Sequence, residues 1–73
     1  MERKKFTPAI GQTYKNRGGG TYRCLNTYKD HDAKMVNTAT GWTLIAHGCG
    51  SYEDGTMDWD YSTGGYFEKG ETK

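Results

Sequence analysis

His47 and Cys49 are the two residues whose types and spacing could support nucleophilic catalysis. A cysteine thiolate beside an imidazole is a plausible nucleophile, and the glycines at positions 48 and 50 would let a substrate approach the backbone. Residues i and i+2 of a strand share a face, but the sequence shows no third group that would orient the imidazole. We therefore predict no catalytic residue and interpret the pair as a strand-end histidine and a buried cysteine. A small Cys/His enzyme is kept as an alternative function.

The same pair, together with His31, Asp58 and Asp60, supplies the candidate ligands for a metal site. Zinc needs three or four convergent ligands, and structural zinc sites show paired ligand spacings that this sequence lacks. Asp58 and Asp60 are better explained as the solvent-facing carboxylates of a strand in which polar and apolar residues alternate. We predict no metal and no other cofactor.

The segment Asn16-Arg17-Gly18-Gly19-Gly20 is glycine-rich, as phosphate-binding loops are. It lacks the Lys-Ser/Thr ending and the following helix that such a loop needs to hold a phosphate. We interpret it as a hairpin tip that presents Arg17, flanked by Lys15 and Arg23, to a phosphate backbone or to an acidic protein surface. The alternative is a set of solvated basic residues around a turn.

Charge is unevenly distributed along the chain, although the net charge is only +1. Residues 1–36 contain eight Lys and Arg against three Asp and Glu, a net of +5, and residues 37–73 contain two against six, a net of −4. Such a dipolar surface suits docking onto a large charged partner, because complementary fields orient the two molecules. The predicted partner-binding residues are Lys15, Arg17 and Arg23 on the basic side and Asp58 and Asp60 on the acidic side.

A protein partner is favoured over nucleic acid, because nucleic-acid binders usually carry a net basic excess that this chain lacks. An SH3-like module that binds nucleic acid through a basic patch is the alternative. No small-molecule substrate is evident from the sequence.

The longest aliphatic run, at residues 44–46, is far shorter than a membrane span, and no apolar segment of a signal peptide follows the basic residues at the start. We therefore expect a cytoplasmic protein with no membrane partner. Cys24 and Cys49 could form one disulfide, but without a secretion signal we expect reduced thiols.

The residues singled out above need a framework of strands to position them. Eleven glycines, one proline and short runs of aromatic and β-branched residues predict strands joined by tight turns, with residues 41–47 as the central strand. We predict an all-β fold, a small five-stranded antiparallel SH3-like barrel, with an OB-like barrel as the alternative. Residues 1–10 would form a basic arm, residues 11–67 the barrel domain and residues 68–73 a polar tail. The five strands are expected at residues 12–15, 21–28, 33–38, 41–47 and 56–61.

A pattern of turn glycines and aromatic residues extends across residues 11–67. It comprises Gly11, Tyr14, Gly18-Gly19-Gly20, Tyr22, Leu25, Trp42, Ala46-His47-Gly48, Asp54-Gly55 and Trp59-Asp60-Tyr61. This pattern resembles small uncharacterised single-domain β proteins of bacteria, their phages and mobile elements. The resemblance implies a stand-alone β module and carries over no catalytic residue. With the small size of the chain, it implies a non-enzymatic accessory protein that modulates or inhibits a host nucleic-acid-handling complex, such as a CRISPR-type defence system.

Overall fold

The computed structural model describes residues 2–67; Met1 and residues 68–73, the predicted polar tail, lie outside them. The described residues form eight β-strands and no helix. The strands are β1 (Lys4–Lys5), β2 (Thr13–Asn16), β3 (Thr21–Tyr28), β4 (Asp32–Asn37), β5 (Trp42–His47), β6 (Gly50–Ser51), β7 (Thr56–Asp58) and β8 (Tyr61–Phe67). All eight belong to one sheet in the order β1-β6-β7-β2-β3-β4-β5-β8. The prediction of an all-β fold is confirmed.

The predicted five-stranded antiparallel barrel does not fit this sheet. The described residues form eight strands, and β7 pairs with β2 in parallel, with Lys15 opposite Thr56. Two strands missing from the prediction, β1 and β6, are two residues long, too short to show the alternation that predicts a strand. The last strand, β8, pairs antiparallel with β5 and runs through a Ser-Thr-Gly-Gly segment that has the composition of a turn.

The middle of the sheet follows the prediction closely. Strands β2 to β5 form an antiparallel meander, β3 has the predicted bounds, and β2, β4 and β5 lie within one residue of theirs. The predicted strand at residues 56–61 is divided, because the Asp60 N–H donates to the carbonyl of His47 at 2.8 Å and Tyr61 starts β8 beside β5. Tyr61 therefore does not continue the buried side of Met57.

A β-bulge between Cys24 and Asn26 changes which residues of β3 face the core. Cys24 lies opposite the buried Met35, whereas Tyr28 lies opposite Asp32. Because a bulge adds one residue to one strand, the alternation shifts by one beyond it. Tyr28 consequently lies on the face opposite to Cys24 and is 44% exposed, whereas simple alternation places both residues on one face.

The core lies on one side of β3, β4 and β5, where Cys24, Met35 and Leu44 form a cross-strand row. Cys49 and Met57, from the other half of the sheet, complete the buried cluster, so the sheet folds over on itself. Cysteine, methionine and alanine side chains fill this cluster together with Leu44, and larger rings pack against it while partly exposed. The rings are those of Phe6, Tyr14, Tyr22 and Trp59.

The described part of the predicted basic arm (residues 1–10) packs against the rest of the described chain. The Phe6 N–H donates to the carbonyl of Cys49 at 3.1 Å, and the Phe6 ring meets the Tyr14 ring edge to face, with centroids 5.5 Å apart. Pro8 is fully buried, whereas Ile10 is 62% exposed. The arm therefore contributes to the same core as the strands that follow it.

Met35→Ala should lower the free energy of unfolding by about 2–5 kcal/mol, because removing a fully buried side chain leaves a cavity. Thermal unfolding followed by circular dichroism measures this loss. Leu25→Ala is the matched control, since Leu25 is 37% exposed and its loss should be clearly smaller. Equal losses for the two variants would contradict this placement of the core.

Candidate functional site

The two candidate catalytic residues lie in different environments. Cys49 is fully buried in the core, where desolvation raises the pKa of its thiol to about 11. The thiol is therefore protonated at neutral pH and is a poor nucleophile. His47 is only partly buried, and its imidazole stacks on the Tyr61 ring with centroids 4.5 Å apart and planes 13° apart.

The structure does supply the third group that the sequence did not reveal. His47 Nδ1 lies 3.0 Å from Asp32 Oδ2, and His47 Nε2 lies 2.8 Å from Thr63 Oγ1. A carboxylate, an imidazole and a hydroxyl in this order have the connectivity of a general-base relay. Here they come from β4, β5 and β8 respectively, and the chain of contacts fastens β8 to the centre of the sheet.

Asp32 also anchors the backbone after β5, since its Oδ1 accepts a hydrogen bond from the Gly48 N–H at 3.1 Å. Burial opposes ionisation of this carboxyl, but the hydrogen bonds from Gly48 and His47 outweigh it, and the pKa of Asp32 is lowered from 3.8. A carboxyl whose pKa falls on folding stabilises the folded state when ionised. That contribution is complete above the ordinary pKa and is lost as the pH falls through the lower folded value.

Asp32→Asn should therefore lower the melting temperature at about pH 5, and the deficit should shrink as the pH is lowered and the wild-type carboxyl also becomes protonated. Differential scanning calorimetry at successively lower pH measures the two curves. Asp30→Asn is the control: Asp30 has a φ of 62° in the exposed turn before β4, a conformation that asparagine also tolerates. A deficit that stays constant with pH would contradict the assigned role of ionised Asp32.

Both cysteines are free and buried, and desolvation raises the pKa of Cys24 as well. Ellman's reagent should label neither thiol in the folded protein within minutes and both after denaturation, because a buried, protonated thiol reacts slowly. The absorbance of the released thiolate measures this difference. Rapid labelling of one thiol in the folded protein would show that the core opens or that the cysteine is placed wrongly.

Within residues 2–67, no group of three or more His, Cys, Asp or Glu side chains is placed to hold a metal ion. His47 is engaged by Asp32 and Thr63, and Cys49 lies in the core. His31 Nδ1 lies 3.1 Å from Thr7 Oγ1, so the two histidines and Cys49 belong to separate contacts.

Asp58 and Asp60 are brought together, but by the chain's own basic residues. Arg3 Nε donates to Asp58 Oδ1 at 2.7 Å, and Arg3 Nη2 lies 3.2 Å from Asp60 Oδ1. Lys5 Nζ pairs with Asp60 Oδ2 at 3.1 Å, and the Tyr52 hydroxyl donates to Asp58 Oδ2 at 2.9 Å. Partner binding by these two carboxylates stays a prediction, and a partner would have to compete with Arg3 and Lys5.

Arg17 is also engaged within the molecule. Its Nη1 lies 3.2 Å from Asp54 Oδ2 and donates to Thr56 Oγ1 at 3.1 Å, and its guanidinium lies 4.2 Å from the centroid of the Tyr52 ring. The hydrogen bonds from the Thr56 hydroxyl and N–H, with Arg17 adding to them, lower the pKa of Asp54. Arg17 is thus fixed to the loop between β6 and β7 instead of extending freely from the hairpin tip.

Lys15 and Arg23 differ from Arg17, because neither has an ion pair or side-chain hydrogen bond within residues 2–67. Lys15 lies opposite Thr21, and Thr13 lies opposite Arg23. Alternation along the two antiparallel strands places both basic side chains on one side of the sheet. Of the five predicted partner-binding residues, these two are the exposed and unpaired ones.

Arg23 belongs to a surface that we call the outer face, the side of β3, β4, β5 and β8 opposite to the core row. Arg23, Val36, Thr43 and Tyr66 form one cross-strand row of this face. Lys34 lies in the next row, and its Nζ is 5.5 Å from the centroid of the Tyr66 ring. Four large side chains on this face are exposed by between 37% and 61%: Leu25, Tyr28, Tyr61 and Tyr66.

A concave pocket of about 270 Å³ opens on the outer face beside Arg23. Leu25 and Val36 give it apolar walls, and residues 37–41 border its other side. The border is a fixed turn, since Asn37 Oδ1 accepts hydrogen bonds from the N–H groups of residues 39 and 40 at 2.9 and 3.1 Å. One unpaired guanidinium beside apolar walls suits a carboxylate on a short aliphatic stem, because Arg binds carboxylates through paired donors.

The partner-binding residues predicted from the sequence include Lys15 and Arg23 but none of the tyrosines of the outer face. Tyr28 and Tyr61 are placed on the core side by alternation, and only the bulge in β3 and the break after Asp58 bring them outside. The Cys24-Leu25-Asn26 stretch carries no glycine or proline that would have marked the bulge.

No family model, no curated protein and no solved structure matches this chain. Among the described residues, no helix is long and apolar enough to cross a membrane. Function is therefore inferred from the geometry and charge of the outer face, together with the resemblance stated above.

Proposed function

We propose that this protein is a non-enzymatic binding module that docks onto a partner protein through its outer face. The observation that carries the proposal is the exposure of Tyr28, Tyr61 and Tyr66 on the same face as the unpaired Arg23. Tyrosine and arginine are enriched in the central parts of protein interfaces and among the residues that dominate binding energy. The pocket beside Arg23 offers a place where one side chain of the partner would be anchored.

Two basic side chains that have no acidic partner within residues 2–67, Lys15 and Arg23, indicate the kind of partner. Arg3 and Lys5 pair with the carboxylates of β7 and the following turn, whereas Lys15 and Arg23 have no acidic partner within residues 2–67. Lys15 and Arg23 thus leave two positive charges that are not neutralised on one side of the sheet, although the whole chain is nearly neutral. A partner surface bearing carboxylates complements these charges and is steered toward them during association.

The resemblance to accessory proteins of phages and mobile elements supplies the biological setting of the proposal. The partner is a host nucleic-acid-handling complex, such as a CRISPR-type defence complex, which this protein inhibits or modulates. Action in the cytoplasm belongs to the same proposal. It is supported by the two free thiols, the state in which cytoplasmic reductants keep cysteines.

Direct nucleic-acid binding is the second candidate, and a specific observation favours it. The outer face combines the cations of Arg23 and Lys34 with tyrosine rings, including the contact between Lys34 and Tyr66. Cations beside exposed rings are the composition of surfaces on which single-stranded bases stack. The two candidates differ in their dependence on salt, since displaced counterions make phosphate binding strongly salt-dependent.

Arg23→Glu should abolish inhibition while leaving the fold intact, because Arg23 is exposed. The measurement is the plating efficiency of a phage on cells that express one of a panel of defence systems together with this protein. Lys29→Glu is the matched control: it changes the charge equally, and Lys29 is exposed in the turn before β4. In purified complexes, Arg23→Glu should weaken binding by at least about tenfold, as expected of an interface anchor.

Other outcomes of this experiment separate the candidates. Retention of a labelled single-stranded oligonucleotide at physiological salt, with no other protein present, would favour the nucleic-acid candidate. Loss of inhibition with both Arg23→Glu and Lys29→Glu would indicate a general charge effect. Unchanged inhibition with Arg23→Glu and with Tyr66→Ala would contradict the assignment of the outer face.

A further inference from the structure

The two edges of the sheet differ in how they are protected against pairing with another strand. The edge strand β1 has two residues, both lysines, and short, lysine-bearing edges are how natural sheets avoid edge-to-edge association. The other edge, β8, has seven residues, all exposed. Its sequence, Tyr-Ser-Thr-Gly-Gly-Tyr-Phe, contains no charged residue and no proline. Among the described residues, no further strand pairs with this second edge.

The β8 edge is held in place along its length. Its first half is fixed to β5 by the stacking of His47 on Tyr61 and by the contact of His47 with Thr63. In its second half the Trp42 ring meets the Phe67 ring edge to face at 4.9 Å. The Trp42 ring also lies so close to Gly65 that a Cβ there would collide with it. A strand fixed in this way loses little conformational entropy when another strand pairs with it.

We propose that two copies of this chain associate through antiparallel pairing of their β8 strands. Self-pairing about a two-fold axis brings the same strand together twice, so a charge in β8 would be repelled by its own copy. The absence of charge from all seven residues removes that obstacle. The outward backbone N–H and C=O groups of β8, which pair with no other strand of the described residues, satisfy those of the second copy. The inference does not rest on the proposed function.

A bulge in β8 limits the strength of the proposed dimer. Ile45 pairs with Thr63 and Thr43 with Tyr66, so one extra residue of β8 bulges at the glycines 64 and 65. A bulge interrupts the ladder and twists the edge. The pairing is therefore confined to short stretches on either side of the bulge, and the dimer is reversible and depends on concentration.

The pairing has a consequence for the outer face. A two-fold axis that relates antiparallel edge strands within one sheet runs perpendicular to that sheet, so both copies present the same face to the same side. The two pockets beside Arg23 then open on one continuous surface. A dimer could engage a repeated or two-fold partner with two anchors, and the second contact would be intramolecular.

Sedimentation velocity of the purified full chain, from about 5 to 500 μM, tests the proposal, because a weak self-association shifts with concentration by mass action. The wild type should pass from monomer to dimer within this range. Ser62→Lys, which adds a charge to an exposed position of β8, should raise the dissociation constant at least tenfold. Gln12→Lys is the matched control, since it adds the same charge at an exposed position outside β8, and it should leave the dissociation constant unchanged.

Amide hydrogen exchange at the two ends of this range locates the interface. Protection that rises with concentration in β8, and not in β1, supports the pairing. A chain that stays monomeric at 500 μM would overturn the proposal and leave the edge to a strand of another protein. A dimer that Ser62→Lys leaves equally stable, with the melting temperature of this variant unchanged, would also overturn it, because the interface would then lie elsewhere.

Discussion

The backbone of Cys49 joins the two halves of the folded sheet, and the rest of the structure depends on this junction. Its N–H donates to the carbonyl of His31 at 2.8 Å, before β4, and its carbonyl accepts from the N–H of Phe6 in the arm. Its side chain is fully buried in the cluster that both halves share. A single sheet can enclose a core only by folding over, and Cys49 is a point at which backbone from the centre and from the arm meets.

The glycines at positions 48 and 50, beside Cys49, leave room at this junction for the ion pairs of Arg3 and Lys5. A Cβ at position 50 would come within 2.6 Å of Arg3 Cζ, and a Cβ at position 48 would collide with the Asp60 carboxylate. The space that the sequence suggested for a substrate is thus occupied by the ion pairs between the arm and Asp58 and Asp60. Part of the charge asymmetry of the chain thus serves to fasten the arm to Asp58 and Asp60.

Strands specified by residues close together in the sequence could be predicted, whereas pairings between distant parts of the chain could not. Strand β3 was predicted with its observed bounds and β4 and β5 to within a residue, because their β-branched and aromatic residues and the turns between them are local signals. The β7 strand pairs in parallel with β2, some forty residues earlier in the chain, and no local pattern indicates that partner. The contact of Arg17 with Asp54 could not be predicted for the same reason. The pairing of β2 with β7 brings the two side chains together.

The aromatic residues show how the strand irregularities change which surface is proposed to bind a partner. Ten aromatic residues in a short chain suggest an aromatic core. The innermost cluster instead consists of cysteine, methionine, alanine and leucine side chains, and Tyr28, Tyr61 and Tyr66 are exposed. Exposed rings contribute little to folding by burial, and several of them on one face are typical of an interaction surface. The bulge in β3 and the break after Asp58 therefore do more than bend the sheet. They move Tyr28 and Tyr61 from the face that packs into the core to the outer face, through which we propose that the protein docks.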